Sequence, residues 1–164
     1  MSVQKRWMSL FVENEIGVLA KISGLFSSKL YNLDTLTVGV TEDPTVSRIT
    51  ISVISDDRTF EKILKQLNRS VEVIKVIDLT EKPVHAKELM FIQIRNISEE
   101  DKQEIFRIAG VFDLTILDYD KQKVIVQSVH TEDENNGIIE VLNRFFLNQI
   151  DIVRGGTVAI EALQ

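Results

Sequence analysis

The alternation of apolar and polar positions sets out two similar halves. From Trp7 to Glu13, Met8, Leu10 and Val12 fall on one side and Trp7, Ser9 and Phe11 on the other, the period-two signature of a strand. Val18, Leu19, Ile22, Leu25, Phe26 and Leu30 then recur at helical spacing, behind a turn ENEIG that carries Asn14 and Gly17. The segment YNLDTLTVGV is rich in strand formers, and Glu42-Asp43-Pro44 separates it from SRITISVIS, where Ile49, Ile51 and Val53 alternate with polar partners; together they predict a hairpin. Phe60, Ile63, Leu64 and Leu67 restore the helical period behind Asp56 or Asp57 as N-cap, and VEVIKVIDL closes the unit near Leu79.

The polar stretch TEKPVHAKE, with Pro83, reads as a linker, and the pattern then restarts. LMFIQIR is a strand and Glu99 to Ala109 a helix, with Ile105, Phe106 and Ala109 on one side. VFDLTILD and KVIVQSV form a hairpin across DYDKQK. Ile138, Ile139, Leu142, Phe145 and Phe146 mark a second helix, and IDIVRGGTVAI is a last strand interrupted at Gly155-Gly156. The order βαββαβ, twice over, predicts an α+β protein of two tandem ferredoxin-like modules: residues 1–79, a linker at 80–87, and residues 88–164. Modules of about 80 residues bury marginal cores, so lateral packing between modules or subunits is expected.

Composition narrows the function classes. Hydrophobic residues make up 44% and charged residues 27% of the chain, the balance of a globular protein, and no apolar run reaches the ~20 residues needed to span a bilayer. The opening MSVQKRWMSLFVEN is too polar-broken for a signal peptide. The absence of cysteine excludes disulfides and thiolate metal sites and points to the cytoplasm. A net charge of −6 argues against nucleic acid, and Phe11 with Arg48 is too sparse a set for an RNA-binding sheet.

Catalytic chemistry is not visible. His85 lies in the linker and His130 at a strand end, neither at metal-ligand spacing from Cys, Asp or Glu. There is no phosphate-binding glycine loop and no nucleophile elbow, and the acidic run Thr131-Glu132-Asp133-Glu134 suits a helix N-terminus. The strand-to-helix turn at Asn14–Gly17 is the one place with ligand-binding character. Unpaired amides at a helix N-terminus suit a carboxylate, and a residue without Cβ permits close approach. A structural glycine with a capping asparagine explains the same residues, and on these grounds alone is the better reading.

The residues of that turn and their sequel resemble a known family. Asn14-Glu15-Ile16-Gly17-Val18-Leu19, then Gly24-Leu25-Phe26, Tyr31-Asn32-Leu33, Thr35-Leu36-Thr37-Val38 and Ser47-Arg48-Ile49-Thr50-Ile51 are similar to the N-terminal ACT domain of acetolactate (acetohydroxyacid) synthase small subunits. The likeness continues through KQLNRSVEVIKVIDLT and KELMFIQIR, to about residue 95, and is looser in QEIFRIAGVFDLTILDYDKQKVIVQSV, although IDIVRGGTVAI matches the family's closing segment. The resemblance implies a cytoplasmic, non-catalytic regulatory subunit with no cofactor of its own. Its partner would be a separate large catalytic subunit using thiamine diphosphate, FAD and magnesium. It also implies a homodimer through ACT domains whose interface binds a branched-chain amino acid, L-valine as a rule. By position, Asn14, Ile16, Gly17, Val18 and Leu19 would form the effector loop, and Asn32 and Leu33 would come from the other subunit. A free-standing amino-acid sensor and an enzyme with an undetected site are the competing classes; no DNA-binding segment supports the first and no polar cluster the second.

Overall fold

A computed structural model describes residues 3–163. Twelve elements follow one another: β1 (Gln4–Glu13), α1 (Val18–Ser28), β2 (Leu33–Val40), β3 (Val46–Ser55), α2 (Asp57–Leu67), β4 (Val73–Asp78), β5 (Val84–Arg95), α3 (Glu99–Val111), β6 (Thr115–Tyr119), β7 (Lys123–His130), α4 (Glu132–Phe145) and β8 (Ile150–Glu161). Two four-stranded sheets result, ordered β2-β3-β1-β4 and β6-β7-β5-β8. This is the twofold ferredoxin-like arrangement that the βαββαβ order predicts.

In the first sheet β1 runs antiparallel to β3 from Gln4↔Ser55 to Glu13↔Val46. That register sets Met8, Leu10 and Val12 beside Ile49, Ile51 and Val53 on one face, where Val18, Ile22 and Phe26 of α1 and Phe60, Ile63 and Leu67 of α2 complete a buried cluster. Strand parity enforces the choice: a one-residue slip would turn every apolar side chain out of the core. The second core repeats the plan with Met90, Ile92 and Ile94, Val124 and Val126, and the helix residues Ile105, Ile108, Ile138 and Leu142.

Several expectations need correction. The linker is shorter than 80–87, because β5 already begins at Val84. The final residues also do not group with the second module: residues 1–85 with 158–164 form one compact unit and residues 86–157 the other. The amide of Ala162 donates to the carbonyl of Pro83 (2.8 Å), which draws both segments into backbone pairing. Helix α1 stops at Ser28, so Leu30, expected on its apolar stripe, is 93% exposed with φ of 58°. There the Tyr31 amide reaches back to the Phe26 carbonyl at 3.0 Å and closes the helix end. Phe106 is half out of the core, edge-on to Tyr119 at 5.7 Å, and Ile108 takes its place on the buried side of α3. Phe145 is likewise exposed while Phe146 is buried. Gly155-Gly156 does not interrupt β8: a Cβ at Gly155 would lie 3.3 Å from the Leu89 carbonyl oxygen, and Gly156 supplies a φ of 79°. Both glycines serve a continuous strand.

Candidate functional site

The loop between β1 and α1 holds Asn14 to Gly17, and α1 starts at Val18. Gly17 is the N-cap, at φ 87° and ψ −9°, a left-handed conformation that L side chains rarely adopt. No side chain caps this helix and its first turn carries no acidic residue. The other three helices differ. Asp56 caps α2, and Ser98 and Thr131 cap α3 and α4 in reciprocal capping boxes, all with carboxylates in the first turn. The amino end of α1 therefore keeps its positive dipole end and leading amides uncompensated by side chains, the state that accommodates an anion.

Asn14 is not the cap. Its side-chain amide donates to the Pro44 carbonyl (2.9 Å), its side-chain oxygen accepts from the Ser47 hydroxyl (3.0 Å), and its backbone amide donates to Thr45 (2.8 Å). It fastens the β1–α1 loop to the turn between β2 and β3, and one amide hydrogen of the side chain remains for another acceptor. That turn is rigid in its own right: two hydrogen bonds from Thr45 hold the Asp43 carboxyl below the usual carboxylate range. Beyond the first turn Lys21 is bonded to Glu72, and that bond, with the charges of Glu72, Glu13 and Glu15, raises the lysine's pKa.

Space around Gly17 is open, with nothing within 4 Å of an added Cβ. Close packing by neighbouring backbone is thus not the reason for glycine there; the positive φ is. Ile16 is fully exposed, Leu19 partly so, and Val18 is buried in the core, which leaves Val18 only its backbone to offer. Asn32 is exposed just ahead of β2, and Leu33 is half-buried against the first core.

The structure brings Asn14, Ile16, Gly17, Val18 and Leu19 together but sets Asn32 and Leu33 apart from them. The 11 residues of α1 lie between the two groups, about 16 Å of helix. The sheet register agrees: Leu33 pairs with Val53, opposite Arg6, whereas the loop emerges beside Val46 at the other end. A single copy does not form one pocket from all seven.

Other candidates are accounted for locally. Arg48 lies over the Phe11 ring (5.1 Å) and donates to the Ser9 hydroxyl (2.7 Å) and to the Ala159 carbonyl (3.2 Å), so neither ring nor guanidinium stands ready for a base. Among the described residues no group of three or more His, Asp or Glu could hold a metal ion. No described helix is long and apolar enough to cross a membrane.

Sequence reasoning missed a buried polar network in the second unit. Glu88, 2% exposed, accepts two hydrogen bonds from Arg154 (3.0 and 2.7 Å) and one from Asn135 (2.9 Å). Burial pushes the Glu88 carboxyl up, but the bonds from Arg154 and Asn135, the charge of Arg154 and the Gly156 amide outweigh it and leave the pKa lowered. The only signal was Glu88 at an inward position of β5, which the linker reading obscured.

Comparison with known proteins bears directly on the loop and on the whole chain. Residues 8–75 match the family profile described as an AHAS small subunit-like ACT domain, and residues 87–162 the profile described as the small subunit of acetolactate synthase. The acetolactate synthase small subunit of Aquifex aeolicus is 36% identical over 97% of this chain and 82% of its own length. That of Haemophilus influenzae is 34% identical over 96% of this chain and 95% of its own. The crystal structure of the acetolactate synthase small subunit from Thermotoga maritima superposes with a TM-score of 0.88 at 32% identity, over 99% of both chains. With two profiles in tandem over both modules and full-length relatives of the same description, the chain belongs to the family of acetolactate synthase small subunits.

Proposed function

We propose that the chain is the regulatory partner of a large acetolactate synthase subunit, raising that subunit's activity and imposing feedback by L-valine. The thiamine diphosphate, FAD and magnesium belong to that catalytic chain. The observation that carries the reading is the uncapped, acid-free amino end of α1 behind Gly17. It suits the carboxylate of an amino acid, and Glu15 on the same loop is an exposed anion that can attract the ligand's ammonium group. The distance between this loop and Asn32 supports a site shared by two copies. Strand β2 is an edge strand with Val38 and Val40 exposed. Antiparallel pairing of two β2 edges would lay the Asn32 end of one copy beside the Val40 end of the other, the end that carries the Gly17 loop.

Binding of valine regulates only through a difference in affinity between two quaternary arrangements, so the test must read both binding and activity. Isothermal titration of the dimer with L-valine should show saturable binding, and assays of acetolactate formation with the catalytic chain should show activation reversed by valine. Gly17→Asp should abolish the response to valine while activation persists, because the new carboxylate occupies the amide cluster. Gly17→Asn imposes the same backbone conformation without the charge and should keep more of the response. Full valine sensitivity in Gly17→Asp would refute the site; a chain that neither binds valine nor activates would refute the function.

A further inference from the structure

We propose that the second unit carries a separate ligand site, a groove between the C-terminal end of α3 and α4, and that it takes a small aliphatic ammonium ion lacking a carboxylate. The groove has a volume of about 600 Å³, a size that suits small ligands. Phe112, Ile138 and Val141 give it apolar walls, and Gly137 on α4 leaves it open, since an added Cβ there would meet nothing within 4 Å.

The polar side chains that line the groove, Asp113, His130, Glu134 and Glu140, accept rather than donate, and for His130 a buried chain of hydrogen bonds behind the groove sets this. That chain begins at Glu88, which is buried outside the groove lining and whose carboxylate, held ionised by Arg154 and Asn135, can only accept. Asn135 turns its amide nitrogen toward Glu88, to the carboxylate at 2.9 Å and the backbone carbonyl at 3.3 Å, so its oxygen faces the Ser128 hydroxyl, which donates at 2.5 Å. The single proton of Ser128 is then used. At 2.8 Å from His130 Nδ1 its oxygen can only accept, which places a proton on Nδ1. In the neutral ring Nε2 is thereby left with its lone pair, and His130 lines the groove.

Around it stand Asp113 and Glu140, whose carboxylates make no hydrogen bond or ion pair among the described residues. Glu134 also lines the groove; its carboxylate accepts from Thr131 and lies 3.9 Å from the Lys87 ammonium. The last turn of α3 contains no basic residue, so the negative end of its dipole is uncompensated there. An ammonium group satisfies these acceptors and an alkyl stem covers the apolar wall. A free amino acid would bring its own carboxylate against the acidic rim, which separates this groove from the effector loop in the chemistry it selects.

The test is a titration of the full-length, isotope-labelled protein with pentylammonium, followed by NMR. Saturable shifts are expected at His130, Gly137 and Ile138, with a dissociation constant on the order of 1 mM for a ligand of this size. Norleucine, which adds a carboxylate to the same stem, and pentanol, which lacks the charge, should each bind at least about ten-fold more weakly. Gly137→Leu should abolish the shifts while the helix persists, leucine being the better helix former. Glu140→Gln should weaken binding about five-fold. The His130 ring, read at a pH of about 8, should be the Nδ1–H tautomer. Absence of saturation by about 50 mM, norleucine binding as tightly as pentylammonium, unchanged binding in Gly137→Leu, or an Nε2–H ring would each overturn the proposal.

Discussion

Gly17 and Asn14 divide their work in a way that chain position alone does not reveal. The glycine supplies the left-handed turn that releases the chain into α1, and the asparagine ties that turn to the β2–β3 hairpin. An L residue at φ 87° costs about 1–2 kcal/mol, with Asp and Asn the least penalised, so both Gly17 variants are expected to fold. Glu88 offers a sharper test of energetics. Its pKa is lower in the folded chain than in the unfolded one, so its stabilisation is present above the ordinary glutamate range and is lost as pH falls through the folded value. Glu88→Gln should cost about 2–3 kcal/mol at neutral pH by leaving Arg154 half-paired. Below a pH of about 4 the gap from the parent should narrow. Urea unfolding at several pH values measures both; a constant gap down to pH of about 2 would mean that the carboxylate titrates alike in the folded and unfolded chains and that its ion pair adds no stability.

At the scale of elements, the helices differ most at their amino ends. Thr131 and Glu134 bond reciprocally at the start of α4, as Ser98 and Asp101 do for α3. Thr131→Ala should lower the stability of the second unit by about 1 kcal/mol in chemical denaturation. Glu134 then loses the hydroxyl contribution to its lowered pKa and keeps that of the Thr131 amide. An unchanged denaturation midpoint would show that the acidic first turn alone sustains the helix. These caps were legible, because Ser/Thr followed three residues later by Asp or Glu is a local signal. Exposure of Phe106 was not legible: Ile105 and Phe106 share the helical spacing, and only the docking of α3 on its sheet puts Ile105 in the core and leaves Phe106 outside it.

On the scale of the whole molecule, the two units are not two consecutive stretches of chain, since residues 158–164 close the first unit. Within that unit Ala159 accepts from Arg48, Ala162 donates to Pro83, and Lys82 pairs with Glu161 at 2.9 Å. Deletion of residues 158–164 should therefore destabilise the first unit, by about 2–3 kcal/mol from the two main-chain bonds and the partly exposed ion pair. Hydrogen exchange should quicken in β1 and β3 and not in β7. Equal loss of protection in both sheets would show that the closing segment supports the second unit as well.

By itself the sequence determined the element order, most of both cores and the family, because period-two and helical spacing are local consequences of backbone geometry and each unit repeats them. It also placed the Asn14–Gly17 turn ahead of α1, whose Asn-x-x-Gly spacing is contiguous. Tertiary structure alone decided which side chains were free to act. Asn14 turned from cap to tether once the β2–β3 turn came within reach. Asn32 and Leu33 fell at the far end of α1, and the closing strand ran on past Gly155 into the first unit. Glu88 found Arg154 and Asn135 across 66 and 47 residues of chain. Such pairings follow from where strands and helices dock, and no local periodicity encodes them.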